Sequence, residues 1–164
     1  MAVFIRRMFG IGKMPADLRA DLATENVIHL AEFVPVTFRF SGSVPGKLAT
    51  RGNIRSYVGA LAITSQRVVG TLSTVPRLAG RAIDVRWDAP SEGPVHAELS
   101  ADGLKLDVDI SEVDSEFSGR LTLTYKTAIP EAVLTTIPRR TLSYHVPREW
   151  VLRALGVPVA KSSL

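Results

Sequence analysis

Gly59-Ala60-Leu61-Ala62-Ile63-Thr64-Ser65-Gln66-Arg67-Val68-Val69 decides the fold reading of this chain. Leu61 and Ile63 alternate along one side, a polar corner of four residues follows, and Val68 and Val69 begin a second apolar run. Short apolar runs hinged on a tight polar corner are the pattern of strand, turn and strand. A two-residue turn at Ser65-Gln66 sets Ile63 against Val68, Leu61 against Gly70 and Gly59 against Leu72, so large side chains meet small ones away from the turn.

Working outward, period two recurs. Val34, Val36, Phe38 and Phe40 alternate with Pro35, Thr37, Arg39 and Ser41, and Ile83, Val85 and Trp87 repeat the pattern after Pro76. Between them, residues 42–52 are rich in Gly and Ser and read as a loop. In residues 95–110 the dipeptide Asp102-Gly103 predicts a hairpin turn. Pairing positions that sum to 205 places Leu99 on Leu106, Ala97 on Val108 and Val95 on Ile110, with His96, Glu98, Lys105, Asp107 and Asp109 on the other face and His96 across from Asp109. Leu121, Leu123 and Tyr125 mark one more strand. Seven strands result, roughly 27–41, 54–64, 67–74, 80–88, 94–101, 104–110 and 118–127. Short helices are expected at residues 15–24, from Pro130 to Ile137, and at residues 147–155 with Gly156 as the stop.

The stretch 59–69 resembles the "G-x-L-x-(L/I)-T-x-x-R-(L/V)-(V/I)" strand-turn-strand of bacterial PH-like and GRAM-like domains, and the resemblance extends over residues 27–137. It implies a mainly β fold: a seven-stranded antiparallel PH-like barrel closed by a capping helix, either 130–137 or 147–155. In that frame residues 1–24 are an N-terminal segment with a short helix, 25–138 the barrel domain and 139–164 a C-terminal helical extension. PH-like barrels serve as lipid readers, peptide docks and assembly modules, so the fold leaves the task open.

Composition narrows the classes. The 164 residues suit one domain with its own core. With 46% hydrophobic and 22% charged residues the chain is globular. It has no cysteine, which excludes disulfides and thiolate metal sites. No window reaches the ~18 apolar residues of a membrane-spanning helix. In residues 1–13, Arg6-Arg7 interrupts what would be the apolar core of a secretion signal. These features read as a cytoplasmic protein.

Motifs for chemistry fail on their spacing. Residues 107–118 begin like a calcium loop, but Glu112 stands where the loop needs Gly and Ser118 where it needs a bidentate Glu. Gly42-Ser43-Val44-Pro45-Gly46-Lys47 mimics a phosphate loop one residue short, and Leu48 replaces its hydroxyl residue. His29, His96 and His145 have no metal-ligand spacing, and no serine sits in a Gly-x-Ser-x-Gly elbow. Pro147 breaks the faint helix-turn-helix pattern of residues 140–157. The expectations are therefore no catalytic residue, metal or cofactor, and no nucleic-acid partner.

Charge is what remains. Residues 39–86 hold eight basic side chains and one acid, whereas residues 88–116 hold nine acids and one lysine. Lys47, Arg51 and Arg55 fall in and just after the first long loop, where the resemblance places the cations of lipid-binding members; they are the expected contact with an anionic surface. Phe4, Ile5, Arg6, Arg7 and Met8 form an apolar and basic cluster suited to a membrane or another subunit. The resulting expectation is a non-enzymatic PH-like module at the inner face of the plasma membrane or in a protein assembly. The alternatives are a structural or homo-oligomeric protein without a lipid ligand, and a small-ligand barrel or enzyme using the interior.

Overall fold

A computed structural model describes residues 13–73 and 79–157, with the side chains of Leu48, Ser73 and residues 79–81 outside the description. Residues 1–12, including Phe4, Ile5, Arg6, Arg7 and Met8, lie outside the described residues.

Among the described residues, eight antiparallel strands make one nearly closed, barrel-like sheet: β1 (Val27–Val44), β2 (Lys47–Thr64), β3 (Arg67–Ser73), β4 (Ala79–Arg86), β5 (Val95–Ser100), β6 (Gly103–Asp109), β7 (Ser118–Lys126) and β8 (Thr141–Tyr144). Their order is β4-β3-β2-β1-β7-β6-β5-β8. The α-helices among the described residues are α1 (Ala16–Ala23), α2 (Glu131–Thr136) and α3 (Arg148–Ala154). The expected count of seven strands is thus corrected to eight. The added strand, Thr141–Tyr144, is too short to show a period, yet Leu142 is buried and the strand pairs with β5.

The quoted stretch folds as read. Ile63 faces Val68, Leu61 faces Gly70 and Gly59 faces Leu72. The Thr64 hydroxyl accepts the amides of Gln66 and Arg67 (both 3.0 Å), which locks the corner. Arg67 reaches back to Glu25 (2.7 Å) and Asp84 (3.0 Å), tying the start of β1 and the body of β4 to that corner. Both faces of β2 are buried here. Leu61 and Ile63 join the main core, while Ala60 and Ala62 receive Met14, Leu18 and Leu22 from the α1 segment, small side chains allowing the helix close.

Residues 42–52, expected as a loop, instead continue two long strands to a turn at Pro45-Gly46. Gly42 and Ser43 pair with Gly119 and Ser118 of β7, so residues that suit a loop are spent on a close strand contact. Register shifts between Phe40 and Gly42, and between Gly42 and Val44, add residues to β2 and bend the hairpin.

The 95–110 hairpin needs a second correction. Pairs sum to 203: Leu99 faces Leu104, Ala97 faces Leu106 and Val95 faces Val108. The turn is Ala101-Asp102, and Gly103 already belongs to β6, at φ +131°. A Cβ on Gly103 would collide with the Tyr125 carbonyl oxygen, so this glycine serves the approach of β6 to β7 rather than the turn. The slip is two residues, which leaves the buried face unchanged.

Helices cover both mouths. α2 follows the end of β7, where Lys126 pairs with Gly103, and buries Val133 and Leu134. α3 is held at the other end of β7: Arg148 pairs with Asp114 (2.6 Å) and lies 5.2 Å from the Phe117 ring centroid, while Val151, Leu152 and Leu155 enter the core. Beyond β4, Trp87 Nε1 donates to the Thr64 carbonyl at the end of β2 (2.9 Å), and Ser91 Oγ accepts the Ser143 amide at the β8 edge (3.0 Å).

Candidate anion-binding surface

The β1–β2 hairpin contains no carboxylate from Phe33 to Gln66. Its cations are Arg39, Lys47, Arg51 and Arg55, none within ion-pair distance of an acid among the described residues. Elsewhere Arg19, Arg67, Arg86, Arg120, Arg140 and Arg148 hold acids, whereas Lys13, Lys105, Lys126, Arg139 and Arg153 have no acid within ion-pair distance among the described residues but lie in shorter carboxylate-free stretches. Surface pairs of that kind contribute little stability but cancel local potential. The hairpin keeps its potential uncancelled.

The three cations expected from sequence share a strand without sharing a point. Arg55 stands opposite Phe38 and Lys47 opposite Val44, both core residues, so both side chains lie on the concave side and are half-buried. Arg51 lies between Thr50 and Asn53, where an extra residue interrupts the pairing with β1, and is exposed. At ~3.3 Å per residue, neighbours in this trio are about 13 Å apart along β2. One phosphate cannot touch all three. They form a strip, and their separation exceeds the ~8 Å Debye length at physiological salt, so each cation acts on its own stretch of surface.

Arg55 has a local reason for its half-buried position. A Cβ on Gly156 would lie 4.0 Å from its Nη1, which places the guanidinium beside the C-terminal end of α3, where the last carbonyls carry partial negative charge. A Cβ on Gly46 would likewise lie 3.4 Å from Val157 Cγ1, so the chain after α3 runs against the hairpin tip.

Two contributors escaped sequence reasoning. Ile54 is 57% exposed and stands opposite Arg39, itself exposed, on the convex side. The available signal was its parity: Ile54 is out of phase with Tyr57, Gly59, Leu61 and Ile63.

Several acids and one histidine are engaged elsewhere. Asp107 accepts two bonds from Arg120 Nη1 (3.0 and 2.9 Å), Asp109 caps a 3-10 turn through Ser111, and Asp114 accepts the Glu116 amide (2.8 Å). The Glu116 amide, then Arg148, hold the Asp114 carboxyl below its usual range. His96 faces Asp107 instead of Asp109, and its Nδ1 meets Ser143 Oγ at 2.9 Å. His29 is half-buried with no partner on Nε2, and burial lowers its pKa. Among the described residues no three His, Asp or Glu could hold a metal ion, and no helix is long and apolar enough to cross a membrane.

Apolar side chains face the barrel interior. Phe38, Phe40, Leu61, Ile63, Leu99, Leu106, Leu123 and Tyr125 are each at most 2% exposed. Compared with known proteins, the chain matches no family model, no curated protein and no solved structure.

Proposed function

We propose that the chain is a PH-like binding module whose role, docking along the β1–β2 hairpin onto an anionic membrane surface, requires no catalysis. The observation that carries this reading is the hairpin's charge: four cations without an acid partner on a stretch of 34 residues that contains no carboxylate, Arg39 and Arg51 on the convex side with the exposed Ile54, Lys47 and Arg55 on the concave side. A cation near an anionic bilayer contributes about 1 kcal/mol. Lys47, Arg51 and Arg55 together therefore give weak, salt-sensitive attachment, and Ile54 adds an exposed apolar side chain on the convex side. The anionic leaflet of the plasma membrane is the cytoplasmic one, which is where such a module would work. The buried apolar side chains of the interior, from Phe38 to Tyr125, also favour recognition by the outer surface.

A second reading is docking on an acidic protein partner or another copy of the chain, which the exposed Ile54 also suits. Co-sedimentation of the full chain with phosphatidylserine-containing vesicles, with neutral vesicles as comparison and solution mass measured in parallel, separates the two. Binding to the anionic vesicles alone supports membrane docking. No vesicle binding with a solution mass above that of one chain supports assembly.

A further inference from the structure

On the convex face of the sheet, three neighbouring strands place Ser143, His96 and Asp107 in one row, Ser143 opposite His96 and His96 opposite Asp107. The Ser143 amide donates to Ser91 Oγ instead of to β5, which makes Ser143 and His96 a pair of the kind whose side chains stand closest. Ser143 Oγ and His96 Nδ1 are 2.9 Å apart. Asp107 is committed to Arg120, leaving the imidazole to the serine. Beside the pair lies an open depression of about 280 Å³, also lined by Glu98, Lys105 and Thr141. A purely structural Ser-His contact requires no space next to it. A half-buried hydroxyl, an imidazole within hydrogen-bond reach and room for a small molecule are the nucleophile, base and space of an activated nucleophile, here without a third group to orient the base.

We propose that Ser143 and His96 form a nucleophilic dyad that takes an acyl group from small activated esters. This goes beyond the docking reading and does not depend on it. Ser143 Oγ attacks the ester carbonyl carbon, forming a C–O bond as its proton passes to His96 Nδ1. Lys105, which lines the same depression together with Glu98 and Asp107, supplies a positive charge for the negative one developing on the carbonyl oxygen. Collapse breaks the ester C–O bond, and the leaving oxygen takes the proton from His96. Water then attacks the acyl-serine, His96 accepts its proton and returns it to Ser143 Oγ, and the carboxylic acid departs. A single general base contributes about 10²–10⁴-fold, so the substrates are esters whose leaving group needs little help.

The test incubates the full chain with p-nitrophenyl acetate, follows release of nitrophenolate and maps the acetyl group by mass spectrometry. The expected result is release faster than in buffer, with one acetyl group on Ser143. Ser143→Ala abolishes that adduct, and His96→Gln slows its formation at least tenfold. Ser56→Ala, an exposed serine of β2, changes neither, and melting curves show whether each variant is folded. The adduct position on the unaltered chain decides the matter even if a variant unfolds. No release above buffer, acetylation of lysines with none on Ser143, or Ser143 acetylation unaffected by His96→Gln in a folded variant would overturn the proposal.

Discussion

The phenol of Tyr125 on β7 donates a 2.8 Å hydrogen bond to the carbonyl of Thr71 on β3, although two strands separate β7 from β3 in the sheet order. The bond therefore crosses the barrel interior. Two glycines of the decisive stretch and its continuation crowd the same place: a Cβ on Gly59 would collide with the Thr71 carbonyl oxygen itself, and one on Gly70 would lie 2.9 Å from Ile83 Cγ2, each also standing 3.2 Å from the Tyr125 ring. Complete burial raises the Tyr125 pKa, which keeps the phenol protonated as a donor.

Tyr125→Phe is expected to cost about 1 kcal/mol, because it deletes one hydrogen bond and leaves the Thr71 carbonyl without it. Tyr125→Ala should cost about 3–5 kcal/mol by emptying the centre of the barrel. Gly70→Ala should cost about 1–3 kcal/mol through overpacking, since its Cβ would lie 2.9 Å from Ile83 Cγ2. Denaturant unfolding of the three variants measures these values; equal stability of Tyr125→Ala and the unaltered chain would contradict a Tyr125-centred core.

Glu25 supplies a pH signature. Hydrogen bonds from Arg67 hold its carboxyl below the ordinary 4.5 against the opposing effect of burial. With the folded value below the unfolded one, its stabilisation is complete above about pH 4.5 and is lost as pH falls through the folded value. Melting of the unaltered chain and Glu25→Gln should differ at pH 7 and converge at low pH. A constant gap would show that the Arg67 contact contributes through something other than charge.

The hairpin register predicts an asymmetry between neighbours. Gly103→Ala combines a left-handed φ of +131° with a collision against the Tyr125 carbonyl, and should cost at least about 1–3 kcal/mol. Asp102→Gly, at an exposed turn position, should stay within about 0.5 kcal/mol. Were Asp102 and Gly103 both the central turn residues, the two changes would be closer in effect.

Much of the β architecture was legible because alternation reports burial directly. Val34, Val36, Phe38 and Phe40 are all buried, and the pairing of Ile63 with Val68 follows from a turn that only two residues can close. The 95–110 register was misread because Gly103 serves two needs that look alike in sequence, a turn and a close strand approach. Residues 42–52 were misread because Gly and Ser in paired, bulged strands have loop composition. The surface was legible only as charge. That Lys47 and Arg55 lie on the concave side and Arg51 on the convex one depends on the bulge, and the meeting of Ser143 with His96 depends on β8, whose four residues show no period.

Charge reversal along the strip tests the docking account most directly. Binding to phosphatidylserine-containing vesicles is measured at low salt for Lys47→Glu, Arg51→Glu and Arg55→Glu, singly and together. Because the three cations are about 13 Å apart and screened beyond ~8 Å, the account predicts similar single losses of at least about fivefold that multiply in the triple variant. Binding of the unaltered chain should also fall steeply with added salt. A triple variant that binds as well as the unaltered chain would contradict it.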